Sequence, residues 1–260
     1  MFASPGTIAV EIGPVTIRWY GLIITGALVL GTILAYREVI RRGRDPGPLV
    51  DIVIIAILAG LIGGRFYAVF FDWEFYAQRP LKILAVWEGG TGILGAILGA
   101  FLAVAVYAKL KGLSVLPYCD ICAPSAALAQ AVGRWGDFFN EEAFGTPTDL
   151  PWKLYISPSN RPVPFQQHEY FHPTFLYLSL WNLLVFFVLY FFLRKPLERI
   201  PGALTLVYLG LYACGRFFIE AMRLESPMLG SLRAAQLISV LMFLAAAGGL
   251  AYLGLKRSAV

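Results

Sequence analysis

The sequence predicts an all-α polytopic membrane protein with about seven transmembrane helices, its N-terminus outside and its C-terminus cytoplasmic. Three observations carry this: an excess of apolar residues, their grouping into long uncharged runs, and the places where basic residues gather. Of 260 residues, 58% are apolar and only 14% charged, with a mean hydropathy of +0.70. A soluble domain is nearer about half apolar and about a quarter charged. Disorder is excluded too, because this chain has no shortage of apolar surface to bury. The net charge of +5 does not point to nucleic acid, since the basic residues fall in clusters flanking the apolar runs.

Four runs without a charge are long enough to cross a hydrocarbon core at the helical rise: Trp19 to Tyr36, Gly89 to Ala108, Tyr170 to Leu193 and Ala234 to Leu255. Three are shorter: Ile52 to Gly64, Ile121 to Gly133 and Ile200 to Gly215. Arg65, Arg134 and Arg216 follow them, and each run becomes a full span if its arginine sits at the membrane boundary.

Orientation follows from Lys and Arg. Eleven of the 21 basic residues lie in four short segments, at Arg37 to Arg44, Lys109 and Lys111, Arg194 to Arg199, and Lys256 and Arg257. Those segments are assigned to the cytoplasm. The N-terminus has no basic region of the kind that precedes a cleaved signal peptide. Arg18, Arg65, Arg134 and Arg216 fall instead at the expected outer ends of helices, where four cations together ask for anions.

The chain reads as one integral membrane domain over residues 1–260. Residues 137–171 form an outer-face cap between the fourth and fifth spans, in which five prolines argue for an irregular or strand-containing fold. Residues 71–88, with Trp73, Phe75, Tyr76 and Trp87, suit an interfacial segment lying along the head groups. No internal repeat of the kind found in two-fold transporters is visible.

The densest polar cluster runs from Gly133 to Gly145. A charge near the bilayer persists when partnered or used, and Arg134, Asn140 and Glu142 together could converge on a lipid phosphate. Arginine offers phosphate a planar, always charged fork. In a second cluster Arg216 and Glu220 stand four apart, and Glu220 and Arg223 three apart, so a helix puts all three on one face. His172 and Pro173 open the fifth span. Small residues at Gly89 to Gly92, Gly95 and Gly99 fit close helix packing, and Cys119 and Cys122 read as structural. No metal-ligand set or soluble cofactor is expected.

On these residues the chain closely resembles the prolipoprotein diacylglyceryl transferase family. Gly133 to Gly145 matches the family's arginine-containing signature. Arg18 to Gly21, His172 to Tyr177 and Tyr212 to Arg223 match further blocks in the same order. The resemblance implies transfer of the diacylglyceryl group of phosphatidylglycerol to the lipobox cysteine of a preprolipoprotein, giving a thioether and glycerol phosphate. It implies a bacterial plasma membrane location with the active site towards the outer face. The expected partners are phosphatidylglycerol, the preprolipoprotein signal peptide and membrane lipids.

Matched residue by residue, the resemblance implies catalytic roles for Arg134, Arg216, Glu142, Asn140 and Tyr20. It implies substrate binding by Arg134, Gly145, Tyr212, Glu220, Arg223 and His172. Arg134 and Arg216 would clamp the phosphate, Glu142 and Asn140 would orient the polar network, and Tyr20 would contact the head group or thiol. The chain departs from the family at three places: Leu94 stands where most members carry a histidine proposed as a base, Asp137 replaces the first asparagine of the signature, and Leu178 replaces a glutamate. The reading adopted is that the thiolate forms without a histidine. A divergent paralogue that binds lipid without transfer, or a lipid or anion transporter, are the alternatives.

Overall fold

A computed structural model describes residues 2–13, 15–85, 92–224, 228–230 and 232–258. It is mainly helical. An antiparallel pair, β1 (Ile8–Ile12) and β2 (Val15–Arg18), leads directly into α1 (Trp19–Arg41). Then follow α2 (Gly47–Phe71), the short α3 (Trp73–Gln78), α4 (Ile93–Leu110) and α5 (Val115–Asn140). Two two-residue strands, β3 (Leu154–Tyr155) and β4 (Tyr170–Phe171), precede α6 (Thr174–Phe187), which continues as π-helix over Val188–Leu193. The chain closes with α7 (Ala203–Glu220), the pair β5 (Met228–Leu229) and β6 (Leu232–Arg233), and α8 (Ala234–Ser258). Among the described residues, six helical segments are long and apolar enough to cross a membrane, and α4 is a shorter apolar one. The seven expected spans are therefore present as helices. Gly89, Gly90 and Thr91, expected at the start of the third span, lie outside the described residues, as do Trp87 and Glu88 of the aromatic segment.

The chain divides into two compact units, Met1–Ala35 with Cys119–Val260, and Tyr36–Tyr118. In the second unit α2 lies against α4 through glycines. A methyl group on Gly63 would strike the Gly95 carbonyl oxygen, and one on Gly99 would come within 2.6 Å of the Ala59 carbonyl oxygen. Small residues on both helices thus let the backbones approach, the arrangement expected where packing alone drives association. Arg65, buried on α2, donates to the carbonyls of Lys82, Ile83 and Ala85, with its guanidinium 5.1 Å from the centre of the Tyr76 ring. Main-chain carbonyls are among the partners of Arg65, because the residues after α3 fold back over it. Of the aromatic segment, Tyr76 is buried beneath this arginine while Trp73 is exposed.

In the first unit, polar bonds fix the helices along their length. Asp120 of α5, itself buried, accepts hydrogen bonds from Gly202 N at 2.6 Å, Thr205 N at 2.8 Å and Thr205 Oγ1 at 2.7 Å. The positive end of α7 is thereby capped by a carboxylate from another helix, satisfying N–H groups that have no partner within α7. Ser179 of α6 donates to the Ala131 carbonyl at 2.7 Å, and Trp181 donates to the Leu211 carbonyl at 2.9 Å. The Trp181 indole also occupies the space a side chain at position 215 would take, so Gly215 sets the approach of α6 just before Arg216. Together these bonds fix how far α7 slides against α5 and α6, and so where Arg216 stands.

Between α5 and α6 the chain is irregular, with short 3-10 turns at Pro158–Asn160 and Val163–Phe165. Its core is Phe138, Phe144, Leu154, Ile156, Phe171 and Phe175. The N-terminus joins it, with Tyr155 N donating to the Phe2 carbonyl at 2.8 Å and Ser4 Oγ to the Phe139 carbonyl at 3.0 Å.

Adding two methyl groups and a branch at the α2–α4 contact tests its dependence on glycine. Gly95→Val is expected to destabilise the second unit by about 1–3 kcal/mol through overpacking, read as a lowered thermal midpoint in detergent, whereas Gly21→Val, in open space, leaves it unchanged.

Candidate active site

The end of α5, the start of α6 and the end of α7 meet at Gly145. Gly145 N donates to the His172 carbonyl at 2.9 Å, His172 N to the Thr146 carbonyl at 3.0 Å, and Thr146 N to the Met222 carbonyl at 2.9 Å. A methyl group on Gly145 would lie 2.9 Å from His172 Cβ, 2.9 Å from the Met222 carbonyl oxygen and 3.0 Å from Thr174 Cγ2. Gly145 is required here by close approach of three strands of backbone rather than by a turn. Thr174, at the first position of α6, donates its hydroxyl to the Ala143 carbonyl and tightens the same junction.

Two residues with left-handed backbone flank Glu142: Glu141 with φ 52° and Ala143 with φ 56°. This conformation is costly for residues bearing a Cβ. At Glu141 the side chain offsets it, its carboxylate accepting from Ser157 N at 2.9 Å, Ser157 Oγ at 2.9 Å and Asn160 Nδ2 at 3.0 Å. The reversal after α5 turns Glu142 back towards the helix end, where its Oε1 accepts from Asn140 Nδ2 at 3.3 Å.

The charged groups form two sets. On α5, Arg134 Nη1 lies 3.0 Å from Asp137 Oδ2, and the two side chains are 23% and 14% exposed. On α7, Glu220 is buried to 1% exposure and Arg216 Nη2 lies 3.0 Å from its Oε2, with Arg223 Nη1 3.6 Å from the same oxygen. The sets are within electrostatic reach of each other, Arg216 interacting with Arg134, Arg223, Glu220 and Tyr212. Tyr20 of α1 joins them: it interacts with Asp137, Glu142 and Arg134, and its ring lies over Gly136, where a methyl group would come 2.8 Å from Cδ2. The Tyr20 side of the cluster is open, the residue being 40% exposed.

Arg134, Arg216, Arg223, Glu220, Tyr212, Tyr20, Asn140, Glu142 and Gly145 are thus gathered at one place. His172 contributes differently from the expectation. Its backbone belongs to the junction, but its ring Nδ1 lies 3.2 Å from Tyr177 Oη, which also accepts from Trp152 Nε1 at 2.9 Å. Burial holds this imidazole below its ordinary pKa, so it stays neutral at neutral pH. The four arginines expected at outer helix ends differ: Arg134 and Arg216 have carboxylate partners, Arg65 donates to carbonyls among its partners, and Arg18 is exposed at the end of β2. Sequence reasoning missed Arg233 and Gln236. Arg233 donates to the Glu220 carbonyl, and Gln236 joins Arg233 N at 3.1 Å to the Phe217 carbonyl at 3.3 Å, so α8 caps the end of α7. A lone glutamine at the start of an otherwise apolar run was the available signal. Among the described residues no group of His, Cys, Asp and Glu is arranged to hold a metal ion.

Residues 7–252 match the family described as prolipoprotein diacylglyceryl transferase. The chain belongs to that family. A phosphatidylglycerol–prolipoprotein diacylglyceryl transferase of Synechococcus elongatus is 48% identical over 99% of this chain and 91% of its own length. Proteins with the same name from Trichormus variabilis and a Synechocystis species are 46% and 44% identical, over 99% and 98% of this chain and 93% and 92% of theirs. The similarity to these transferases spans the whole charged cluster and both units. For this diacylglyceryl transferase family member, Leu94 lies on α4 and is exposed, so α4 offers no proton acceptor at that position.

The flanking left-handed residues give a test of how Glu142 is held. Glu141→Ala keeps the backbone cost and loses three hydrogen bonds, and is expected to lower stability by about 1–3 kcal/mol and transferase activity with it. Glu141→Gly relieves the backbone and is expected to keep more activity than Glu141→Ala, as measured by transfer rate and thermal midpoint together.

Proposed function

We propose that the chain is a multi-pass membrane enzyme that transfers the diacylglyceryl group of phosphatidylglycerol to the lipobox cysteine of a preprolipoprotein, forming a thioether and releasing glycerol phosphate. The observation that carries the reading is the convergence of Arg134 and Arg216, from two helices, beside the partly open Tyr20. This is set in a chain whose relatives are named for that reaction. Departure of glycerol phosphate adds negative charge to a phosphate oxygen. Fixed guanidinium groups at that oxygen stabilise the transition state more than the ground state.

In this reading Arg134 and Arg216 hold the phosphate. Arg223 and Glu220 keep Arg216 extended from α7, and Tyr212 lies beside it. Glu142 and Asn140 order the polar network, Tyr20 contacts the head group or the thiol, and Gly145 lets the three segments close. His172 supports the junction through its backbone. The acceptor thiol, with an ordinary pKa of about 8.5, reacts as thiolate, and the nearby cations favour that form. The cluster faces the outside of the bacterial plasma membrane, with residues 137–171 above it as a cap and the C-terminus in the cytoplasm. Two-chain lipids enter from the bilayer side.

Purified protein mixed with phosphatidylglycerol and a lipobox peptide is expected to give a diacylglyceryl mass gain that disappears with a Cys→Ala peptide. Arg134→Ala, folded and inserted, is expected to lose at least about 100-fold in rate, as for removal of a charge-stabilising donor; wild-type transfer by that variant would refute the clamp. For orientation, a cysteine introduced at Val163 is expected to react with an impermeant maleimide added to intact cells, and one introduced at Leu113 to react only after permeabilisation.

A further inference from the structure

The ion pairs of the cluster are Arg134 with Asp137 and Arg216 and Arg223 with Glu220, with Glu142 in reach of Tyr20 and Arg233 at the Glu220 carbonyl. A lipid phosphodiester brings one more negative charge, which calls for a cation beside it. The guanidinium that receives it on α5 is not idle: Arg134 already holds Asp137 at 3.0 Å. Among the described residues no other hydrogen bond reaches the Asp137 carboxylate. Phosphate and Asp137 therefore compete for the same cation.

We propose that Asp137 is the base that takes the proton of the acceptor thiol, and that the arriving phosphate activates it by drawing Arg134 away. The proposal rests on the transferase reading above. While paired, the Asp137 oxygen is taken up by its contact with Arg134 Nη1 at 3.0 Å. Once Arg134 turns to the phosphate, that oxygen is free to meet the thiol. The base is thus switched on only when the donor lipid is in place.

The other acceptors are poorly suited. Glu220 is sealed at 1% exposure between Arg216 and Arg223. The His172 ring is bonded to Tyr177, and His168 lies in the loop preceding β4. Glu142 accepts from Asn140. The charged and titratable groups around Asp137 are Arg134 on its own helix, Tyr20 from α1 and Glu142 beyond the end of α5. Across from them on α7 stand Arg216, Tyr212, Glu220 and Arg223.

The step balances without redox chemistry. The thiol proton passes to an Asp137 oxygen. The sulfur lone pair attacks the glyceryl carbon that carries the phosphate ester, and the C–S bond forms as the C–O bond breaks. The bonding pair leaves on the phosphate, which departs as a monoester dianion under Arg134 and Arg216. Asp137 then returns its proton to that phosphate, whose second pKa is about 6, or to water.

The test measures kcat and the KM for phosphatidylglycerol from about pH 6 to about pH 9.5, spanning the ordinary thiol pKa of about 8.5, in wild type, Asp137→Asn, Asp137→Glu and Glu142→Gln. Asp137→Asn is expected to lower kcat about 100-fold at neutral pH, with the deficit shrinking at high pH as the thiol ionises unaided. Its KM for phosphatidylglycerol is expected to fall, because the competitor for Arg134 is gone. Asp137→Glu should restore most of the wild-type pH profile, and Glu142→Gln should keep that profile's shape. A wild-type pH profile in Asp137→Asn overturns the proposal, as does an equal loss in Asp137→Glu or transfer of the pH-dependent limb to Glu142→Gln. If wild type itself makes no thioether, the transferase reading fails instead, so the two failures are distinct.

Discussion

A carboxylate with 1% exposure inside an apolar bundle stays charged only if cations come with it, and Glu220 has Arg216 on one side and Arg223 on the other. Breaking such a group would leave an uncompensated buried charge, which is far more costly than a lost surface pair. The face of α7 is therefore committed: Arg216 must lie one turn before Glu220 and Arg223 just after it. The rest of the unit is arranged to hold that face in place. Asp120 fixes the start of α7, Trp181 fills the space beside Gly215, and Arg233 satisfies the Glu220 carbonyl at the far end.

From this follows the character of the site. Arg134, Arg216 and Arg223 each already have a carboxylate. On the proposed function a phosphate would therefore bind by exchange rather than by filling an empty positive hole. The Arg134–Asp137 pair is the more open of the two, at 23% and 14% exposure against 19% and 1% for Arg216 and Glu220. On that proposal one arginine is held by a buried partner and the other turns.

Much of the fold was legible because the signal was one of composition over long windows. Runs without charge, interrupted by Arg65, Arg134 and Arg216, marked the spans, and the spacing of Arg216, Glu220 and Arg223 gave their shared face. The glycines at 95 and 99 pointed to close packing, and Gly63 and Ala59 on α2 meet them. Less legible was how each cation is satisfied. The partners of Arg65 include three carbonyls and a ring, because a folded-back segment after α3 brings main-chain acceptors that no sequence pattern announces. Likewise the bond from Asn140 to Glu142 depends on the left-handed turn at Glu141 and Ala143, which reverses the chain.

By itself the sequence determined that this is a helical membrane protein with arginines near its helix ends, and the ordered motifs placed it in its family. Those properties are written locally: hydrophobic run length, charge placement and spacing along one helix. Tertiary structure alone decided that Gly145 joins three segments, that the Asp120 carboxylate caps α7, and that Arg233 reaches the Glu220 carbonyl. These depend on which groups from distant parts of the chain reach each other. A charge or polar hydrogen buried in an apolar medium is satisfied by whatever partner the packing brings within about 3 Å.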